Sequence, residues 1–343
     1  MTRRSRAIAA GAVLAVLAAS GCAARPDTAL HPEPPARTFV PLRHPFRDAR
    51  LVVDRDTAAG RWQTAHRATW LDPITSAPQA RWLNGPQDLT AVPALMNRAA
   101  RTGTLPVFVA YYVPNRGCSG FAEGAPRDAD YDAWIDGLIR ALGATASVVV
   151  MEPDAVLTDC FTNERAALLA RSVRRLTDAG HSVYLDAGHA NWRPSGEVAE
   201  RLLRAGIEHA EGFAVNVANR QTTEESYRWA RELSDLVGDR EFVIDTSRNG
   251  LGAPPDEPGR DDEWCNPAHQ ALGEAPTTAP GRPGLAALLW IKPPGESDGH
   301  CGGETTYLFS PGQASNLVAN TPWVPEPVRR LALAARTDSS GQS

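Results

Sequence analysis

The run Val148-Val149-Val150-Met151 stops abruptly at Glu152-Pro153-Asp154, two carboxylates flanking a proline. Pro153 removes a backbone donor and biases Glu152 away from the helical region, so an apolar strand must end there. Two acids at one strand end can supply general acid and base chemistry, although Asp154 could instead cap the next helix. Other apolar runs end in the same way. Asn115 and Arg116 follow one; Asp186, His189 and Trp192 close another; then come Asn216 and Asn219, Arg248 and Asn249, and finally Lys292, Glu296 and Asp298. Carboxylates, amides and cations recurring at one sheet edge point to a single polar cleft. With Trp192 and Trp264 nearby in the sequence, the set suits a carbohydrate: indole faces stack on sugar rings while amides and charges pair with hydroxyls. Glycosidic hydrolysis needs one protonated acid and a second carboxylate. Acyl transfer is disfavoured, since no Gly-x-Ser-x-Gly elbow occurs and Ser119 and Ser247 lack a triad context.

The elements that position these groups are legible from periodicity. Strands are predicted at Leu51–Val53, Ala80–Leu83, Pro106–Tyr112, Ala146–Met151, Ser182–Asp186, Gly212–Val217, Glu241–Asp245 and Ala286–Ile291. Helices are predicted between them: Asp128 to Leu142 puts Trp134, Ile135, Leu138, Ile139 and Leu142 on one stripe, Asn163 to Ala179 stops at Gly180, and Thr222 to Val237 opens on a cap-like threonine. Repeated strand–helix units imply a parallel sheet with right-handed crossovers. The expected fold is a TIM-like β/α barrel in one catalytic domain. An open doubly wound sheet is the alternative, but no Gly-x-Gly-x-x-Gly follows any strand.

Arg3, Arg4 and Arg6 precede the apolar run Ile8–Ala19 and then Ser20-Gly21-Cys22, the pattern of an export signal over residues 1–22. The cysteine after small residues resembles a lipobox. Lipidation of Cys22 would place the protein on the outer face of the membrane; plain secretion is the alternative. Residues 23–45 hold six prolines without apolar periodicity and read as a tether, followed by a catalytic domain over 46–335 and a polar tail over 336–343. Beyond Cys22, four cysteines remain in what would be an oxidising compartment. Sequence order suggests the pairs Cys118–Cys160 and Cys265–Cys301 among three formal connectivities. Each pair would close a loop of about 40 residues, worth roughly 4 kcal/mol in the loop-entropy picture. No Cys-x-x-Cys or His-x-x-x-His spacing suggests a metal. The net charge of −5 and the lack of a basic run exclude a nucleic-acid partner. A monomer is expected.

Seven stretches taken together, Tyr111–Cys118, Val149–Ala155, Val183–His189, Asn216–Asn219, Asp245–Gly250, Trp264–Asn266 and Leu289–Gly299, resemble in order the motifs of glycoside hydrolase family 6. The resemblance runs from about Phe46 to about Thr321. It implies a distorted β/α barrel and inverting hydrolysis of β-1,4-glucan without metal or other cofactor. It also implies Asp154 as proton donor, Asp298 as proposed proton acceptor, Asp186 as supporting carboxylate, and Tyr111 beside the distorted sugar. His189, Trp192, Asn219, Trp264, Lys292 and Glu296 match substrate contacts, and the two cysteine pairs match the family's disulfides. Two positions depart from the pattern. Gly117 stands where the family usually has an aspartate that helps keep the acid protonated, and Val52 stands near a position often aromatic. The short Cys265–Cys301 segment lacks the long insertion that roofs a tunnel, which implies an open cleft and cutting of internal bonds. Gly117 motivates the alternative of a glycan-binding lipoprotein with weakened or lost catalysis.

Overall fold

In a computed structural model of the chain, which describes residues 37–118, 124–255, 264–301 and 308–339, seven apolar runs form one parallel sheet. Its strands are β1 (Arg81–Leu83), β2 (Val107–Ala110), β3 (Val148–Met151), β4 (Ser182–Asp186), β5 (Gly212–Val215), β6 (Glu241–Asp245) and β7 (Leu285–Leu289). They pair strictly in chain order, β1 to β7. That order, with a helix after nearly every strand, is the winding of a barrel; a doubly wound sheet reverses direction midway. The sheet curls until its ends approach. The Ala80 amide donates to the Trp290 carbonyl at 2.9 Å, and the Trp82 indole N–H donates to the Ile291 carbonyl at 2.7 Å. The fold is thus a distorted TIM-like barrel.

Alternation along each strand separates two cores. Val107, Val109, Val148, Val150, Tyr184, Ala214, Val243 and Leu289 fill the barrel interior. Phe108, Val149, Met151, Leu185, Phe213 and Ile244 face outward against helices such as Asp128–Leu142 and Asn163–Asp178. With both faces covered the strands read as unbroken apolar runs, and each fully buried valine or leucine contributes roughly 1.5–3 kcal/mol. A third cluster, around Trp70, Leu71, Ile74, Trp290 and Leu317, packs the C-terminal helices under the β7 side. The helix Thr223–Leu236 begins with a full capping box, Thr222 and Glu225 each satisfying the other's backbone N–H.

Three expectations are corrected. Leu51–Val53 is no strand: Leu51 makes a single bridge to Leu105, too little pairing to extend a ladder, so the described residues hold seven strands and not eight. Val52 is buried in the outer core, which leaves it no free face for a sugar ring. Residues 38–45 are not a free tether. The Val40 amide donates to the Glu208 carbonyl at 2.8 Å, and the amides of Arg43 and His44 both donate to Glu211 Oε1 at 2.7 Å. The 1–22 leader with Cys22, the rest of the tether to residue 36 and the tail beyond residue 339 lie outside the described residues.

Candidate active site

The two acids of the Glu152-Pro153-Asp154 end have opposite fates. Both residues adopt positive φ, 50° and 71°, a backbone state that side chains other than glycine rarely take and that functional sites often hold. The double reversal turns Glu152 inward. It is fully buried and accepts the Tyr112 amide at 2.9 Å, the Val113 amide at 3.0 Å and the Tyr131 hydroxyl at 2.9 Å. Burial pushes its pKa up to about 7, against the pull of those donors. Glu152 therefore pins the end of β2 and is not a cleft acid, contrary to the expectation that both carboxylates reach the edge.

Asp154 stays half-buried at that edge, and its amide donates to Asp186 Oδ2 at 2.8 Å. Asp186 closes β4; it also takes the Gly188 amide at 3.3 Å, while its Oδ1 has no hydrogen-bond partner among the described residues. Burial raises Asp154 to about 6, with Arg116 pulling the other way. Asp186 is pushed well above the usual carboxylate range by burial and then by the charge of Asp154. Two desolvated carboxylates this close titrate as a pair. Arg116 rides on the 114–118 turn, which Arg165 holds through the carbonyls of Pro114 and Asn115 at 2.8 and 2.7 Å and which the Cys118–Cys160 disulfide ties to the loop after β3. The Arg116 guanidinium lies 4.1 Å over the Tyr111 ring, and Tyr111 meets Trp82 edge-on at 5.1 Å. Gly117 is exposed in the same turn and adds no charge beside Arg116. His189 stands 5.7 Å from Trp192, ring to ring, and burial lowers its pKa to about 4, leaving it neutral.

The second half of the site hangs on β5 to β7. Asp298 is sunk in a cage of cations. Arg248 donates to Oδ1 at 2.6 Å and to Oδ2 at 3.0 Å, Arg220 donates to Oδ2 at 3.1 Å, and Lys292 Nζ lies 4.0 Å from Oδ1. Burial alone would raise its pKa, but Arg248, Arg220 and Lys292 outweigh it and hold the carboxyl far below its ordinary value. The loop is locked by reciprocal bonds, Asn266 amide to Asp298 Oδ2 at 3.1 Å and Asp298 amide to Asn266 Oδ1 at 2.9 Å, beside the Cys265–Cys301 disulfide. Both expected disulfides are formed. Arg220 also donates to the Trp264 carbonyl at 2.5 Å and to Gln270 Oε1 at 3.1 Å, which fixes the backbone under the exposed Trp264 ring. Asn219 accepts the Arg220 amide at 2.9 Å. Lys292 donates to the Ser297 carbonyl at 3.1 Å and lies 5.7 Å over Trp82; burial, then Arg248, lower its pKa. Burial raises Glu296, with Lys292 opposing.

The expected catalytic and sugar-contact residues thus lie on segments that leave the carboxyl edge of the sheet, in an acid group on β2 to β4 and a cation-rich group on β5 to β7. Three contributors escape a residue-type reading. Arg220 and Trp82 carry no motif. Asp245 looks like another cleft acid, yet it is fully buried and accepts the amides of Ala218, Ser247, Ile291 and Lys292 at 2.9–3.2 Å, holding three strand ends together. Among the described residues, His44, Glu211 and Glu241 are near enough to one another to hold a metal, but they lie at the opposite, amino ends of β5 and β6.

The profile of "Glycosyl hydrolases family 6" matches residues 47–333. "Endoglucanase A" of Cellulomonas fimi is 38% identical over 263 residues, covering 74% of this chain and 57% of that protein. "Endoglucanase 1" of Streptomyces sp. (strain KSM-9) is 41% identical over 267 residues, covering 74% and 72%. The chain therefore spans little more than half the length of the first of these relatives. Among solved structures, the endoglucanase Cel6 from Mycobacterium tuberculosis, in complex with a methyl-cellobiosyl-thio-cellobioside, superposes with a TM-score of 0.75 at 35% identity over 81% of this chain and 99% of that one. Sequence match and fold agree: the chain belongs to glycosyl hydrolases family 6.

Proposed function

We propose that the protein hydrolyses internal β-1,4-glucosidic bonds of cellulose-like glucan with inversion, Asp154 acting as the acid. One observation carries the assignment: Asp154 is an edge carboxyl raised to about 6 by burial and bonded through its amide to Asp186. A carboxyl that keeps its proton near neutrality can deliver it to a departing glycosidic oxygen. Water then attacks the anomeric carbon from the opposite face, its proton passing toward Asp298 as the C–O bond breaks. Caged by two guanidiniums, Asp298 is a weak base. A weak base suffices when the attacking water has become acidic through bonding to an oxocarbenium-like carbon. The negative charge of Asp298 also suits that cationic centre. Neutral His189 and the amide of Asn219 offer bonds to hydroxyls, and Tyr111, Trp192 and Trp264 offer ring faces. On a cello-oligosaccharide, proton NMR should show the α-anomer forming first, and Asp154→Asn should cut turnover by about 10²-fold or more; an initial β-anomer, or an Asp154→Asn variant of near wild-type activity, would overturn the assignment.

A second reading, glycan binding with weakened catalysis, is favoured by the 114–118 turn, where Gly117 adds no negative charge and Arg116 lowers the pKa of Asp154. Binding of a soluble glucan without release of reducing ends would select it. We also propose export, which the two disulfides favour, with lipidation at Cys22 as the Ser20-Gly21-Cys22 pattern suggests; Cys22→Ser should then move the protein from the membrane fraction to the medium.

A further inference from the structure

The segment after β4 and the helix Thr223–Leu236 enclose an open groove of about 450 Å³ on the barrel's outer rim. That volume lies in the range of ligand pockets. Two indoles from different elements line it, Trp192 from the loop and Trp229 from the helix. Trp192 is anchored at the candidate active site: it packs over Gly188, where an added Cβ would lie 3.1 Å from its ring, and beside His189. Trp229 leans on the outer core and is half-buried, so its ring is braced. Between them, Asn191 is held by Gln221 Oε1 at 3.0 Å, and Glu232 accepts the Ser195 hydroxyl. The lining cation, Arg193, is engaged by the Leu157 carbonyl, Asp159 and Glu197 at 2.5–3.0 Å. A groove offering indole faces, an amide and a carboxylate, with its guanidinium already committed, suits a neutral polyol and disfavours an anion.

We propose that this groove is a distal subsite for the same glucan chain, with Trp229 as its platform and Trp192 as the step between cleft and rim. The proposal rests on the glucanase reading and extends it to residues outside the strand ends. It makes Trp229 a determinant of chain-length preference: a long chain reaches it and a short one does not.

The test compares wild type with Trp229→Ala, Trp229→Phe and, on the exposed loop, Asn191→Ala. On hydroxyethyl cellulose, Trp229→Ala should raise KM by about three- to tenfold, the loss of one stacking contact. Its kcat, and both constants on cellotetraose, should stay at wild-type values; Trp229→Phe should recover most of the KM and Asn191→Ala should lose part of it. Unchanged KM on the polymer, or equal losses on polymer and tetraose, would overturn the subsite. If wild type cleaves no β-1,4-glucan, the activity reading fails alone, and affinity electrophoresis in hydroxyethyl cellulose decides the subsite. Retardation of wild type but not of Trp229→Ala supports it; equal mobilities reject it. Should Trp229→Ala not fold, Asn191→Ala answers the same question in both assays.

Discussion

Asp154 and Asp186 are joined at 2.8 Å through the amide of one and the carboxylate of the other, across the ends of neighbouring strands β3 and β4. The acid's backbone is thus held by the carboxylate whose charge is coupled to it. Because Asp154 acts protonated and its pKa lies near 6, kcat/KM should fall as pH rises through about 6. Asp186 is pushed well above the usual carboxylate range, in part by the charge of Asp154, so it is the member of the pair that keeps its proton while Asp154 titrates. The uncharged isostere Asp186→Asn should therefore leave that basic limb near its wild-type position. A pH–rate series on a soluble cello-oligosaccharide measures it, and a limb moved down by about one unit would show that Asp186 carries the charge instead.

Asp154→Asn should lower kcat by about 10²- to 10⁴-fold, the usual worth of a positioned acid, with an unchanged thermal midpoint. A loss of equal size from Glu152→Gln, without loss of stability, would point to the wrong carboxylate.

Arg220→Gln should raise the pKa of Asp298, because one of three cations opposing burial is removed. The acid limb of the profile should rise with it. KM should also rise, since the Trp264 carbonyl loses its donor, and stability should drop by about 2 kcal/mol, the scale of a charged hydrogen bond. Arg220→Lys should restore the limb but not the stability. Identical pH profiles for all three proteins would reduce Arg220 to packing.

Glu152 makes a stability prediction. Its folded pKa, about 7, exceeds the reference value of 4.5, so the folded state binds more protons between those two values. The stabilisation is complete below pH about 4.5 and is lost as pH climbs to 7, on the order of 3 kcal/mol in all. Urea unfolding at pH 5 and pH 8 should show the fall in wild type and a smaller one in Glu152→Gln.

Gly117→Asp should place a negative charge beside Arg116, offset its pull on Asp154 and raise turnover a few-fold, with the basic limb moving up. No gain, or a loss, counts against Gly117 as a catalytic handicap.

How far the sequence reached can be seen residue by residue. Strands Ser182–Asp186 and Glu241–Asp245 and the helix Asp128–Leu142 have the boundaries their periodicity predicts, because burial on both strand faces and on one helix stripe is written directly in residue type. Leu51–Val53 looked equally strand-like, but a ladder needs a partner, and only one bridge formed.

Local chemistry in the sequence determined where the chain would leave the sheet and which polar residues would stand at each exit: apolar runs, prolines and caps act within a few residues. It could not separate Glu152 from Asp154, two positions apart, because positive φ at both turns the Glu152 carboxylate toward Tyr112 and Tyr131 and only the amide of Asp154 toward Asp186. Nor could it show that Asp298 would sit against Arg220, 78 residues away. A carboxylate's proton affinity depends on desolvation and on charges within a few ångströms. Those neighbours come from other strands, so only the curled sheet decided which acid keeps its proton, which is held ionised and which merely ties the strands together.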